Sequence, residues 1–260
     1  MKRLKEKIKV LYVGDTQVNT TTSSKGMDTW TFSFYSDSAR YLRNALNASD
    51  DIECVHIPSA NAVASMPSTL EEFKKYDAVI LSDLGYNNVS FQPGYIEGYV
   101  PMGPDRVTAL EQYVLEGGGL MMIGGWLSFS GLQGKGLYGG TKIEGIMPVT
   151  CEPRGVDDRM EITWGYQLEF VDPEHPTVAG LHWENPYMFL GYNKIHLKED
   201  AHLIAKYNDD VQIASYNPGN GRSLVFASDV GPHWAGSFLQ WPEYKEFWQQ
   251  MTRWVAGAVE

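Results

Sequence analysis

The chain has 260 residues, 32 acidic against 21 basic side chains for a formal net charge of −11, 43% hydrophobic and 20% charged residues, and two cysteines. Such a chain is long enough to bury a sizeable core unaided, and two cysteines supply neither a disulfide framework nor a Cys-rich zinc or iron–sulfur module. The acidic balance, with basic residues scattered beyond the first nine positions, excludes general nucleic-acid binding, which needs a basic face.

The sequence opens MKRLKEKIKVLYVGD, where a basic stretch precedes only six mostly apolar residues before Gly14 and Asp15. That run is too short for a secretory core, and no apolar run approaches the roughly 18 to 20 residues of a membrane helix. The expectation is a cytoplasmic protein with reduced thiols and no membrane partner, in which the sequons at Asn19, Asn47 and Asn88 carry no meaning.

Ile8 to Val13 is the first expected strand, followed by a polar stretch, DTQVNTTTSSKGMDT, read as a hydroxyl-rich loop. Tyr41, Leu42, Ala45 and Leu46 then fall at helical spacing within Asp37 to Leu46, and Ile52 to Ile57 reads as a strand. Ser68-Thr-Leu-Glu71 has the form of a capping box at the start of a short helix. The apolar run at Ala78 to Ser82 suits a central strand covered on both faces. Beyond it, the connection through Tyr86 to Pro104 is longer than usual, the mark of a functional or a mobile loop.

Asp105 to Glu116 is helical, with Gly117 placed to end it, and Leu120 to Ile123 is another buried strand running into GGWLSFSGLQGKGLYGG. In the second half, Gln167 to Val171 and Leu203 to Lys206 read as strands without long helices between them. Val211 to Tyr216 and Arg222 to Ser228 flank Asn-Pro-Gly-Asn-Gly as a hairpin, and a helix with an aromatic stripe closes the chain over about Glu243 to Val259. The alternation predicts an α/β fold with a mostly parallel sheet, and no linker divides it, so residues 1–260 form one domain.

Gly134-Lys-Gly-Leu-Tyr-Gly139 spells a dinucleotide fingerprint, but it lies about ten residues past the strand and no helix pattern follows, so the physical role of the motif is missing. The six histidines lack metal-ligand spacing, and neither a metal nor a cofactor is expected. His233 stands apart because Asp229-Val-Gly-Pro-His-Trp234 follows a strand's C-terminal end, where open α/β sheets gather their ligands. Gly124-Gly-Trp-Leu-Ser128 sits where an α/β enzyme places its nucleophile elbow, with Trp126 at the centre and Ser128 nearby. Ser128 either acts as a hydroxyl nucleophile or caps backbone amides. Asp15 follows the first strand on the same side, and Trp234 offers a ring for stacking or for the core.

KVLYVGD, YDAVILSDLG, ALEQYVLEGGGLMMIGGWLSFSG, DPEHPTVAGLHW and SLVFASDVGPHW together resemble the class I glutamine amidotransferase-like superfamily, in particular its putative glutamine amidotransferase group. The resemblance implies a flavodoxin-like three-layer sandwich, its mostly parallel central sheet extended by an antiparallel hairpin late in the chain. Active members carry Gly-X-Cys-X-Gly and a later His-Pro-Glu. Here the cysteine position falls on Trp126, the histidine on His233 and the glutamate on Ala235, so the resemblance implies the fold rather than the reaction.

The expected function is binding of a small polar molecule near Asp15, Gly125, Trp126, Asp229, His233 and Trp234. An alternative is a hydrolase of a small polar or sugar-like substrate, with Ser128 or a water activated by His233 and Asp229 as orienter. A third is an interaction or assembly protein, homo-oligomeric through Tyr86 to Pro104.

Overall fold

The computed structural model describes residues 7–92, 94 and 103–259. In chain order the first half comprises β1 (Ile8–Gly14), β2 (Thr16–Lys25), β3 (Asp28–Asp37), α1 (Arg40–Asn47), β4 (Ile52–Ile57), α2 (Ala62–Ser65), α3 (Leu70–Phe73), β5 (Ala78–Ser82), α4 (Tyr86–Ser90), α5 (Arg106–Leu115) and β6 (Gly119–Ile123). The second half adds α6 (Lys142–Ile146), β7 (Val149–Cys151), β8 (Arg159–Tyr166), β9 (Glu169–Phe170), β10 (Phe189–Asn193), β11 (Ile195–Leu197), β12 (His202–Tyr207), β13 (Asp210–Tyr216), β14 (Arg222–Phe226) and α7 (Tyr244–Val255).

Eight strands form the central sheet in the order β4-β1-β5-β6-β14-β13-β12-β9. The first five are mutually parallel, and their order is that of flavodoxin-like folds. From β14 onward the pairing turns antiparallel, with the reversal between β13 and β14 at Asn217-Pro-Gly-Asn-Gly221. AVILS of β5 and GLMMI of β6 are buried at every position, which requires cover on both faces. Right-handed crossovers supply it, because β1 passes through α1 to one neighbour and β5 through α5 to the other, so the two helices lie on opposite faces. α7 packs on α1 and the sheet, while α5 packs on α3 and α6, completing three layers.

Several sequence expectations need correction. The stretch read as a polar loop is a hairpin, β2 paired to β3 over ten register positions, turning at Gly26 and Met27 with glycine at φ +64° as a tight two-residue turn requires. Its signal lay in β3, where Trp30, Phe32 and Phe34 alternate with Thr and Ser. The capping box is one residue later, with Thr69 accepting from the Glu72 amide and the Glu72 carboxylate bonding back to the Thr69 amide. The strand expected at Gln167 to Val171 contracts to Glu169–Phe170, and two small antiparallel sheets, β8 with β10 and β7 with β11, were not anticipated. The connection from Tyr86 begins as α4, and its residues 93 and 95–102 lie outside the described residues.

Candidate functional site

Four neighbouring parallel strands each deliver a residue to one cavity of about 140 Å³, lined by Asp15 after β1, Asp83 after β5, Trp126 after β6, and Asp229 and His233 after β14, with Thr16, Gln17 and Ser38 completing the wall. These are C-terminal strand ends, and β1 and β5 flank the point where the strand order reverses. Gly14 ends β1 at φ +126°, where a Cβ would stand 1.8 Å from the Ser82 carbonyl, so only glycine lets β1 and β5 approach this closely. Asp15 and Asp83 follow in left-handed conformations at φ +56° and +41°. The Asp15 amide donates to the Ser82 carbonyl at 3.2 Å, and its own carbonyl accepts from the amides of Ser38 and Ala39 at 2.9 and 3.0 Å. A wider groove of about 590 Å³ adjoins the cavity and shares Gln17, Ser38 and His233 with it.

Three carboxyls in one cavity, Asp15 and Asp229 buried and Asp83 partly buried, cannot all hold charge cheaply. Burial first, and the neighbouring Asp83 charge second, push Asp15 up to about 7. Asp229 is raised well above the usual carboxylate range by burial and then by Asp15 and Asp83. Burial also raises Asp83, against the opposing pull of the Leu127 and Trp126 amides; the Leu127 amide donates to its Oδ1 at 2.7 Å. The Tyr12 hydroxyl donates to Asp15, and burial keeps that phenol protonated. Asp229 takes the Gly231 amide at 2.7 Å.

Burial lowers the pKa of His233, so its ring is neutral at pH 7. The Trp126 indole N–H donates to its Nε2 at 3.0 Å, which assigns the proton to Nδ1, 3.9 Å from Asp229 Oδ2. Trp126 is 41% exposed, with the Arg159 guanidinium over its ring at 5.4 Å. Nε2 can therefore act as a base only after giving up the indole.

The turn carrying Trp126 does not form a nucleophile elbow. The left-handed residues are Gly125 and Phe129 rather than Trp126, and no α-helix follows directly. A buried strut holds the turn instead: Asn193 Oδ1 accepts from the Gly125 amide at 2.9 Å, Asn193 Nδ2 donates to Asp158 at 2.7 Å, and Asp158 takes the Ser130 and Gly131 amides at 2.8 and 2.9 Å. Asp158 is nevertheless raised to about 6 by burial.

Of the residues singled out from sequence, the cavity brings together Asp15, Trp126, Asp229 and His233. Ser128 is buried and does not line it; its hydroxyl donates to the Ile123 carbonyl and accepts from the Asp83 amide at 3.1 Å, the backbone-capping role. Gly125 has its amide committed to Asn193. Trp234 is fully buried, bonding Glu161 at 3.0 Å, and supports His233 from behind. Asp83 was missed, although its signal was present: a strand followed by Asp occurs three times, in YVGD, ILSD and FASD.

His56 is structural, its Nε2 donating to the Gly14 carbonyl at 3.1 Å. Cys54 and Cys151 lie on β4 and β7 outside the cavity, and burial raises both thiols, Cys54 to about 12. Among the described residues no group of three or more His, Cys, Asp or Glu side chains could hold a metal ion.

Residues 9–257 match the family model described as "Putative glutamine amidotransferase". Two solved structures are similar over nearly their whole length: the cytoplasmic protein STM3548 from Salmonella typhimurium (31% identity, TM-score 0.88, 95% of this chain and 98% of that one) and the cytoplasmic protein STM1381 from Salmonella typhimurium LT2 (33%, 0.85, 95% and 99%). A putative ThuA-like protein from Parabacteroides merdae shares the fold at 14% identity and TM-score 0.53, over 97% of this chain and 91% of that one. No match was found among curated proteins.

Proposed function

The chain belongs to the family described as putative glutamine amidotransferases, and on that premise we propose that it uses the fold to bind a small, hydrogen-bond-donating ligand, polyhydroxylated or aminated, without amidotransfer. The observation that carries this reading is the convergence of Asp15, Asp83 and Asp229 on one cavity beside Trp126 and His233. A ligand that brings O–H or N–H donors stabilises the ionised forms of these carboxyls, which accept hydrogen bonds, and so relieves the crowding that burial and mutual repulsion impose. The exposed Trp126 ring suits the apolar face of such a molecule. Amidotransfer needs a thiolate at the strand end; an indole stands there, and the two cysteines are protonated at neutral pH and do not line the cavity. A cytoplasmic setting is supported by the two Salmonella relatives, and no described helix is long and apolar enough to cross a membrane.

The test is a thermal-shift and calorimetry panel of polyols, aldoses, amino sugars and short amines, run beside an assay for ammonia release from glutamine. At least one class raises the melting temperature of the wild type and not of Asp83→Asn, and no ammonia appears. Ammonia release above the blank, or a panel without effect, overturns the proposal.

A second reading, hydrolysis by a bound water, draws on the position of Asp15 near pH 7 beside two other carboxyls, which suits an acid and a base sharing one site. It predicts turnover of activated glycosides or esters with a pH limb near 7 that Asp15→Asn abolishes.

A further inference from the structure

β2 and β3 form a sheet of their own, an arm of two ten-residue strands. The register aligns Trp30, Phe32 and Phe34 on one face opposite Ser23, Thr21 and Asn19. The three rings are 48, 50 and 51% exposed, and Phe32 stacks on Phe34 at 6.4 Å. The other face is a hydroxyl ladder in which Thr20 meets Ser33 and Thr22 meets Thr31 at 2.8 and 2.9 Å. The foot is tied to the body by reciprocal bonds between Thr16 and Ser59. Two strands alone are marginally stable in water, and a contiguous aromatic stripe calls for cover.

We propose that a second copy of this chain supplies the cover, the two copies exchanging arms about a twofold axis so that each aromatic face lies on the other molecule. Charge selects this occupant: in a chain of net −11 the aromatic face has no net charge, its one charged pair, Lys25 opposite Asp28 at the tip, cancelling, so two like-charged bodies meet here at least electrostatic cost, whereas a nucleic acid or an anionic membrane finds no basic row. Area points the same way. One face of a strand pair about 34 Å long and about 10 Å wide offers about 340 Å². One docked arm thus falls short of the roughly 1,200–2,000 Å² of a stable interface, and reciprocal exchange, which covers two arms and two docking surfaces, brings the total to about 1,400 Å². The exchange also bears on the cavity, because Thr16, Gln17 and Ser38 stand at the feet of the arm and line its wall.

Light scattering coupled to size exclusion at about 50 μM tests this. The wild type is expected at twice 29.2 kDa, W30S/F32S/F34S at 29.2 kDa with the helical circular dichroism of the wild type retained, and Thr22→Lys, on the opposite face, at the wild-type mass. If the triple variant misfolds, a chain in which a short Asn-Gly turn replaces Val18 to Tyr35 is expected at the monomer mass. A monomeric wild type overturns the proposal, as does a triple variant that keeps the assembled mass or a Thr22→Lys variant that loses it. A monomer that pellets with phosphatidylcholine vesicles overturns it in favour of a lipid surface.

Discussion

An aspartate placed just beyond a buried strand carries its charge at the expense of the fold. Asp15 shows this most directly, since its folded pKa of about 7 lies above the ordinary carboxyl value of 3.8. Between those values the folded chain keeps a proton that the unfolded chain has lost, so this group's contribution makes stability fall as pH rises from about 4 to about 7. Asn tolerates the left-handed backbone and can still accept from Tyr12. Asp15→Asn should therefore gain on the order of 4 kcal/mol over wild type at pH 8 and almost nothing at pH 4, measured by urea denaturation at both. Parallel pH profiles for the two proteins would sink the assignment. At Gly14, alanine meets the Ser82 carbonyl in a backbone conformation that it resists, and Gly14→Ala is expected to cost about 2–4 kcal/mol in the same experiment. Asp15, Asp229, Trp126 and His233 were legible because chemistry-bearing residues directly followed apolar runs. Asp83 carried the same signature and becomes evident only when the three strand-plus-Asp endings are set side by side.

Among elements, α5 does more than cover the sheet. Its Arg106 is fully buried and donates to the carbonyls of Val63, Met66, Pro67, Val89 and Phe91 and to the Ser68 hydroxyl, fastening the ends of α2 and α4 and the entry to α3. Lysine has too few donors for that geometry, so Arg106→Lys should cost about 3 kcal/mol or more. A melting temperature within 2 °C of wild type would show the carbonyls finding other partners. The Asn193 strut is expected to behave similarly: Asn193→Ala strands Asp158 and the Gly125 amide, costs about 2–3 kcal/mol, and weakens any ligand that contacts Trp126, as calorimetry would show. β5, β6, α5 and α7 were readable because burial on both sheet faces or along one helix stripe writes itself into apolar runs. Arg106 was not, since backbone carbonyls from distant segments leave no pattern of letters. The arm was harder to read, since β2 is almost wholly Thr, Ser, Asn and Gln and only β3, through Trp30, Phe32 and Phe34, shows the alternation of a strand.

The molecule as a whole divides its labour across one sheet. The parallel half carries the cavity, and the antiparallel half with its two small sheets braces the far side through Asn193 and Trp234. The arm stands outside both, and its turn residue Met27 is fully exposed next to Lys25 and Gly26. In the W30S/F32S/F34S variant, whose arm is uncovered, brief trypsin treatment should cut after Lys25 before any other described site and leave the melt of the body unchanged; first cleavage at another described site would place the weakest segment in another part of the fold. Beneath the arm, the Asp15 carbonyl holds the amides of Ser38 and Ala39, so the two ends of the hairpin are already joined to one another. A segment fastened in this way is a ruler. Adding or removing two residues per strand moves the tip by about 7 Å, preserves which face the side chains take, and leaves the aspartates below where they are.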